Sequence, residues 1–124
     1  MAVIGNNSLI VLCDDDQEVL VALERLLVPV GFTVAAFDNA LEVLRLIVRQ
    51  TPRLVITGIN MPLMSGYDLR SRLRKSYTLS ELPIVAITGR LQEGSNVDYS
   101  GFNRVVQKPL KAPVLLEIVQ HLGA

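Results

Sequence analysis

Cysteine is almost missing from this chain. Cys13 is the only one, which excludes an internal disulfide framework and fits a reducing compartment. Net charge is missing too. Twelve basic and 12 acidic residues cancel, which argues against the basic surface of a general nucleic-acid binder. Five basic residues do fall together, at Arg70, Arg72, Arg74, Lys75 and Arg90. They lie mostly along one stretch of helix pattern and read as a solvated helix face. No apolar run reaches the roughly 20 residues needed to span a bilayer. The opening MAVIGNNS lacks the basic start and long apolar core of a secretion signal. These absences predict a cytoplasmic location, with no membrane contact and no direct nucleic-acid binding by this domain.

What remains is core-forming. Half of the 124 residues are hydrophobic, enough to fill one core in one domain over 1–124. The expected ordered part runs over roughly residues 8–122. Apolar runs alternate with amphipathic stretches, the mark of a βαβ series and a parallel sheet with helices on both faces. The runs Leu9–Cys13, Thr33–Phe37, Leu54–Thr57, Ile84–Thr88 and Val105–Gln107 read as strands.

The first helix runs from about Gln17, with Leu20, Leu23 and Leu27 on one face, and stops near Pro29 and Gly31. Asp38 or Asn39 caps a second helix, whose expected buried stripe is Leu41, Leu44 and Ile47 or Val48. A third starts after Gly66, with Tyr67, Leu69 or Arg70, and Leu73 along it. The last begins near Pro113, a good first-turn residue, and buries Leu115 or Leu116, Val119 and Leu122. A further helix is expected over Gly89–Tyr99, but Gly94, Ser95 and Asn96 interrupt it. Glycine inside a helix costs about 1 kcal/mol relative to alanine, so this element reads as short or irregular.

Three constellations carry chemistry. Asp14, Asp15 and Asp16 follow the first strand. Ligands of parallel sheets bind beyond the carboxyl ends of the strands. Adjacent carboxylates repel by about 1–4 kcal/mol at surface-like dielectric, so a cation is an expected companion. Oxygen ligands of this kind suit Mg²⁺. Asp16 alone has a simpler use as the cap of the first helix. Thr88, ending the fourth strand, can donate to a phosphoryl oxygen. Lys108–Pro109 follows the fifth strand, and its proline is compatible with a tight, cis turn. Taken singly, a strand-end threonine and a surface lysine are usually structural. Their order and spacing together are far more specific.

That order, with INMPLMSGYDL after the third strand and SGFNRVVQKPL around the fifth, resembles the receiver domain of two-component response regulators over essentially the whole chain. The resemblance implies the flavodoxin-like receiver fold, a five-stranded parallel doubly wound sheet of order 2-1-3-4-5. It implies a phosphoryl group passed from a histidine kinase or phosphotransfer protein to an aspartate ending the third strand. Asp15 matches the direct Mg²⁺ ligand, Asp14 its acidic second shell, and Asn60 the residue whose backbone carbonyl is another ligand. Thr88 matches the switch hydroxyl and Lys108 the phosphoryl-binding lysine. The acceptor position falls on Gly58, and the aromatic switch position three residues before the lysine falls on Val105.

Glycine at 58 removes the nucleophile and one metal ligand together. The expectation is therefore a pseudo-receiver that works by phosphorylation-independent protein–protein interaction, with weakened Mg²⁺ affinity. Lys108 is expected to lean toward Asp14 and Asp15. Partners implied are a histidine kinase, a phosphotransfer protein, an output domain or a second copy of the chain. Val21 and Val28 mark a candidate docking face on the outer stripe of the first helix, with Gln17 and Glu24 or Arg25.

Two rival readings stand beside this one. In the first, the receiver is still phosphorylated at another residue. Thr57 is the obvious choice, but strand alternation should turn it away from the site of residue 58. Cys13 reads as core, because neighbouring carboxylates disfavour its thiolate. In the second, Asp14-x-Asp16 resembles the start of a haloacid-dehalogenase-like phosphatase, with Thr57 or Thr88 and Lys108 as later motifs. That reading needs a late acidic cluster, and after Asp98 only Glu117 remains.

Overall fold

The structure, a computed structural model, describes residues 8–90 and 98–122. Five parallel strands form one sheet in the order β2-β1-β3-β4-β5. They are β1 (Leu9–Cys13), β2 (Thr33–Phe37), β3 (Leu54–Gly58), β4 (Ile84–Thr88) and β5 (Arg104–Gln107). The helices are α1 (Gln17–Leu27), α2 (Ala40–Arg49), α3 (Gly66–Arg74) and α4 (Ala112–Leu122). A 3-10 turn, Val28–Val30, closes α1, and Gly31 follows it at φ +106°, a left-handed conformation that favours glycine. The interrupted helix expected over Gly89–Tyr99 falls largely on 91–97, outside the described residues.

Strands β1, β3 and β4 are buried along their whole length. That is why they read as unbroken apolar runs rather than as alternating ones. Alternation inside them sorts two cores. Val11, Cys13, Val55 and Ala86 face α2 and α3, through Val43, Ile47, Leu69 and Leu73. Ile10, Leu12, Ile56 and Ile87 face α1 and α4, through Leu20, Leu23, Leu27, Leu115 and Val119. The sheet is thus doubly wound, as expected.

Helix starts are set by short polar side chains that satisfy otherwise orphaned N–H groups. Asp16 accepts from the Glu18 N–H at 3.0 Å, and Asn39 accepts from that of Glu42 at 3.1 Å. Ser65 and Asp68 form a reciprocal capping box.

The stripe expected on α2 is corrected. Ala40, Val43 and Ile47 are buried, whereas Leu41 is 46% and Val48 87% exposed, with Leu44 half-buried. Glu42, Arg45 and Arg49 share one face of the helix, which puts Ala40, Val43 and Ile47 on the opposite face, against the sheet. The Asn39 cap fixes where the helix starts. On α4, Ile118 joins Leu115 and Val119 in the core, and Leu122 is only half-buried.

The solvated-face reading of the basic residues also needs correction at two places. Arg74 donates from Nε to the Gly101 carbonyl at 2.8 Å and from Nη1 to those of Thr78 at 3.0 Å and Leu82 at 2.8 Å. Its Nη2 reaches Asn103 Oδ1 at 3.0 Å. Arg70 lies over the rings of Tyr67 and Phe102 at 5.3 and 5.0 Å and donates to the Ser100 carbonyl at 2.9 Å. These arginines bind the end of α3 to the approach to β5. Arg74→Met should lower stability by about 2–4 kcal/mol, because several partly buried acceptors lose their donor together. Urea unfolding checks this, with an unchanged m-value showing that the effect is on stability alone.

Candidate functional site at the carboxyl ends of the strands

Parallel register decides which side chains meet. Cys13 pairs with Phe37 and Thr57, Gly58 with Ile87, and Thr88 with Gln107. The chain therefore leaves β1, β3, β4 and β5 along one rim, where ligands of such sheets bind. Asp14, Asp15, Gly58, Asn60, Thr88 and Lys108 all lie on that rim.

Asp14 is buried and Asp15 exposed. Asp14 Oδ1 accepts from the backbone N–H of Asp16 at 2.9 Å. Its Oδ2 is buried without a hydrogen bond and lies 3.6 Å from Lys108 Nζ. That separation gives an ion pair and not a hydrogen bond. Burial raises the Asp14 pKa, the Asp16 N–H and then Lys108 oppose the rise, and Asp15 and Asp16 add to it.

Opposite this carboxylate stands Gly58. A Cβ on Gly58 would lie 2.8 Å from Asp14 Oδ2 and 3.2 Å from its Cγ. Asp14 therefore occupies the space that a side chain at 58 would need. The backbone is crowded from the other side as well. A Cβ on Gly66 would overlap the Gly58 carbonyl oxygen, and the Gly66 N–H donates to the Ile59 carbonyl at 2.7 Å. Only glycine allows α3 to start this close to the end of β3. The third helix, expected to start after Gly66, starts on it, and a glycine directly after the capping Ser65 is the sequence signal for this close approach.

The other candidates are engaged locally. Thr57 is fully buried and its hydroxyl donates to the Gly58 carbonyl at 2.8 Å. It faces the α2–α3 core with Cys13 and Val55, away from the rim, as alternation required. The Thr88 hydroxyl donates to the Arg90 carbonyl at 2.9 Å and accepts from the Arg90 N–H at 3.2 Å. Lys108 is held at its backbone by a hydrogen bond to the Thr88 carbonyl at 2.8 Å, and the Lys108–Pro109 peptide is cis. Val105 pairs with Ala86 and packs half-buried against the α2–α3 core. Asn60 is exposed in the loop after β3. Val21 and Val28 are 44% and 50% exposed on the outer side of α1 and its closing turn, with Gln17, Glu24 and Arg25 also exposed.

Cys13 is buried, and its thiol is pushed up to about 12. Burial is the largest cause, a Thr57 hydrogen bond opposes it, and Asp14, Asp38 and Asp15 add to it. Asp16, the general acid of the phosphatase reading, is committed to capping α1.

Among the described residues no three His, Cys, Asp or Glu side chains gather to hold a metal ion. The buried Asp14 oxygen faces the Lys108 ammonium.

The response regulator receiver domain model matches residues 10–120. This chain belongs to that family. It is 33% identical over 114 residues to an uncharacterized 14.6 kDa protein of Leptolyngbya boryana, covering 90% of this chain and 87% of that one. It is 30% identical over 120 residues to the probable transcriptional regulator ycf29 of Pyropia yezoensis, covering 93% of this chain but 53% of that protein. Among solved structures, the receiver domain of a Pseudomonas aeruginosa sensor histidine kinase, with magnesium coordinated in its active site cleft, has a TM-score of 0.84 at 23% identity. That match covers 95% of this chain and 99% of the other. TrrA of Thermotoga maritima, in complex with Mg²⁺ and BeF, has a TM-score of 0.82 at 24% identity, over 92% of this chain and 97% of that one. These likenesses establish the receiver fold. No helix among the described residues is long and apolar enough to cross a membrane.

Two outcomes follow from the burial. The raised Asp14 pKa means that the folded state prefers the proton, so ionised Asp14 weakens the fold at neutral pH. Asp14→Asn should therefore stabilise by about 1 kcal/mol at pH 7. Its advantage should shrink as pH falls toward the ordinary aspartate value of about 3.8, where Asp14 takes up a proton in both states. Urea unfolding across pH measures this, and an advantage that grows in acid contradicts it. Native Cys13 should resist alkylation by iodoacetamide at neutral pH and react once unfolded, which intact mass reads directly.

Proposed function

We propose that this two-component receiver domain acts as a pseudo-receiver, without aspartyl phosphorylation and without an enzymatic activity of its own. The observation that carries this reading is Gly58 at the carboxyl end of β3, with the Asp14 carboxylate in the space of the absent side chain. A hydrogen at that position offers no oxygen to a phosphoryl donor. Thr57, the nearest hydroxyl in sequence, is fully buried and faces the core. Mg²⁺ binding is correspondingly weak, since a carboxylate ligand is missing and Lys108 stands beside Asp14.

The domain then works through a fixed conformation that other proteins recognise. The partners are a histidine kinase, a phosphotransfer protein or an output domain, met in the cytoplasm, and a second copy of the chain is a further candidate. Known relatives support this range: one is the sensor histidine kinase CheAY of Helicobacter pylori, 28% identical over 112 residues, of which this chain spans 14%. The exposed valines of α1, Val21 and Val28, are the proposed docking face.

Incubation with a small acyl phosphate and MgCl2, followed by intact mass, tests the reading. The chain should carry no phosphoryl adduct, and Gly58→Asp should gain one in the presence of MgCl2. An adduct on the unaltered chain would falsify the proposal and favour phosphorylation at another residue. In Gly58→Asp the Asp14 carboxylate must first swing aside, since the new Cβ lies 2.8 Å from its Oδ2. The variant should be less stable than the parent without Mg²⁺, by about 1–3 kcal/mol, from crowding and from like charges at short range.

A further inference from the structure

We infer that Lys108 is the resident cation of this rim, so that the domain folds with no call on a divalent metal. The inference rests on the pseudo-receiver reading and adds what has replaced the metal. It starts from a Mg²⁺ donor set that lacks a side chain at 58. Among the described residues no third carboxylate joins Asp14 and Asp15. The Asp14 carboxylate is turned into the space above Gly58, where a Cβ would lie 2.8 Å from Oδ2. In that position Oδ1 is held by the Asp16 N–H at 2.9 Å, and Oδ2 lies 3.6 Å from Lys108 Nζ.

A buried carboxylate without a counter-charge is strongly destabilising. Here the counter-charge comes from the chain itself. Lys108 is well placed to supply it. Its backbone is tied to the Thr88 carbonyl at 2.8 Å, and its side chain is only 32% exposed. The ammonium is thereby held across the sheet, from the end of β5 to the end of β1. Gly58 is what permits this arrangement, because any side chain there would displace the Asp14 oxygen that faces the lysine.

Thermal melts separate this from a receiver with an open metal site. Each protein is melted in millimolar MgCl2 and in NaCl of equal ionic strength, since ligands that bind the folded state alone raise Tm. The unaltered chain should melt at the same temperature in both. Lys108→Gln should melt lower in NaCl and recover by about 3 °C or more in MgCl2, as Mg²⁺ enters beside the uncovered carboxylate. Lys108→Arg should behave like the parent. A parent stabilised by MgCl2 as strongly as Lys108→Gln would overturn the inference, and so would a Lys108→Gln that loses nothing in NaCl.

If Lys108→Gln does not fold, Asp14→Asn/Lys108→Gln decides the matter. That pair removes both charges, so it should fold and ignore MgCl2. Failure of the double variant to fold would also overturn the inference. None of these melts depends on phosphoryl transfer, so the inference and the pseudo-receiver reading fail on different measurements.

Discussion

Asp14 is a carboxylate at the end of a fully buried strand, and its burial constrains the whole rim. Taking such a charge out of water costs several kcal/mol unless opposite charge and hydrogen bonds replace the lost solvent. Both replacements reach Asp14 from different parts of the sequence: the Asp16 N–H from the start of α1, and Lys108 from the end of β5. The same Asp16 caps α1 with its own side chain. The first turn of α1, the end of β1 and the exit of β5 are therefore tied through one buried carboxylate.

Gly58 is the other half of that arrangement. It gives Asp14 room on its side-chain face, and its carbonyl faces Gly66 and the Thr57 hydroxyl. Two glycines thus bring three chain segments closer than any side chain would allow. α3 begins against the end of β3, and its far end is tied by Arg74 and Arg70 to the approach to β5. The α3 side of the molecule is held at both ends by contacts that involve backbone carbonyls. The helix itself is weakly apolar, with only Leu69 and Leu73 buried beyond its first residue.

Much of this fold was legible in the sequence, for a physical reason. The strands β1, β3 and β4 are buried on both faces and need unbroken apolar runs, while the caps need short polar side chains at fixed positions. The face of α2 was legible only from its charges. A stripe counted from Leu41 misses it, because the face is marked by its polar residues: Glu42, Arg45 and Arg49 lie together, and Ala40, Val43 and Ile47 lie opposite them. Arg74 and Arg70 look like helix-surface charges because their partners lie far along the chain, at 98–103. At the rim, the identities of Asp14, Asp15, Thr88 and Lys108 were readable from order and spacing. The position of the Asp14 carboxylate was not, since it follows from what Gly58 leaves open in three dimensions.

Three groups on the rim are engaged within the chain. Asp14 has Asp16 and Lys108, and the Thr88 hydroxyl both gives and receives a hydrogen bond with the Arg90 backbone. Val105 packs as an ordinary half-buried strand residue. A ligand shifts a conformational equilibrium only through its different affinity for the two states. Without an acceptor side chain at 58, a phosphoryl group has no covalent hold from which to draw Thr88 off Arg90 or Lys108 off Asp14. A partner that bound this surface would meet one arrangement of the rim, set by the chain's own charges. For a pseudo-receiver of this kind, signalling would depend on whether the partner is present rather than on a phosphoryl group held at 58.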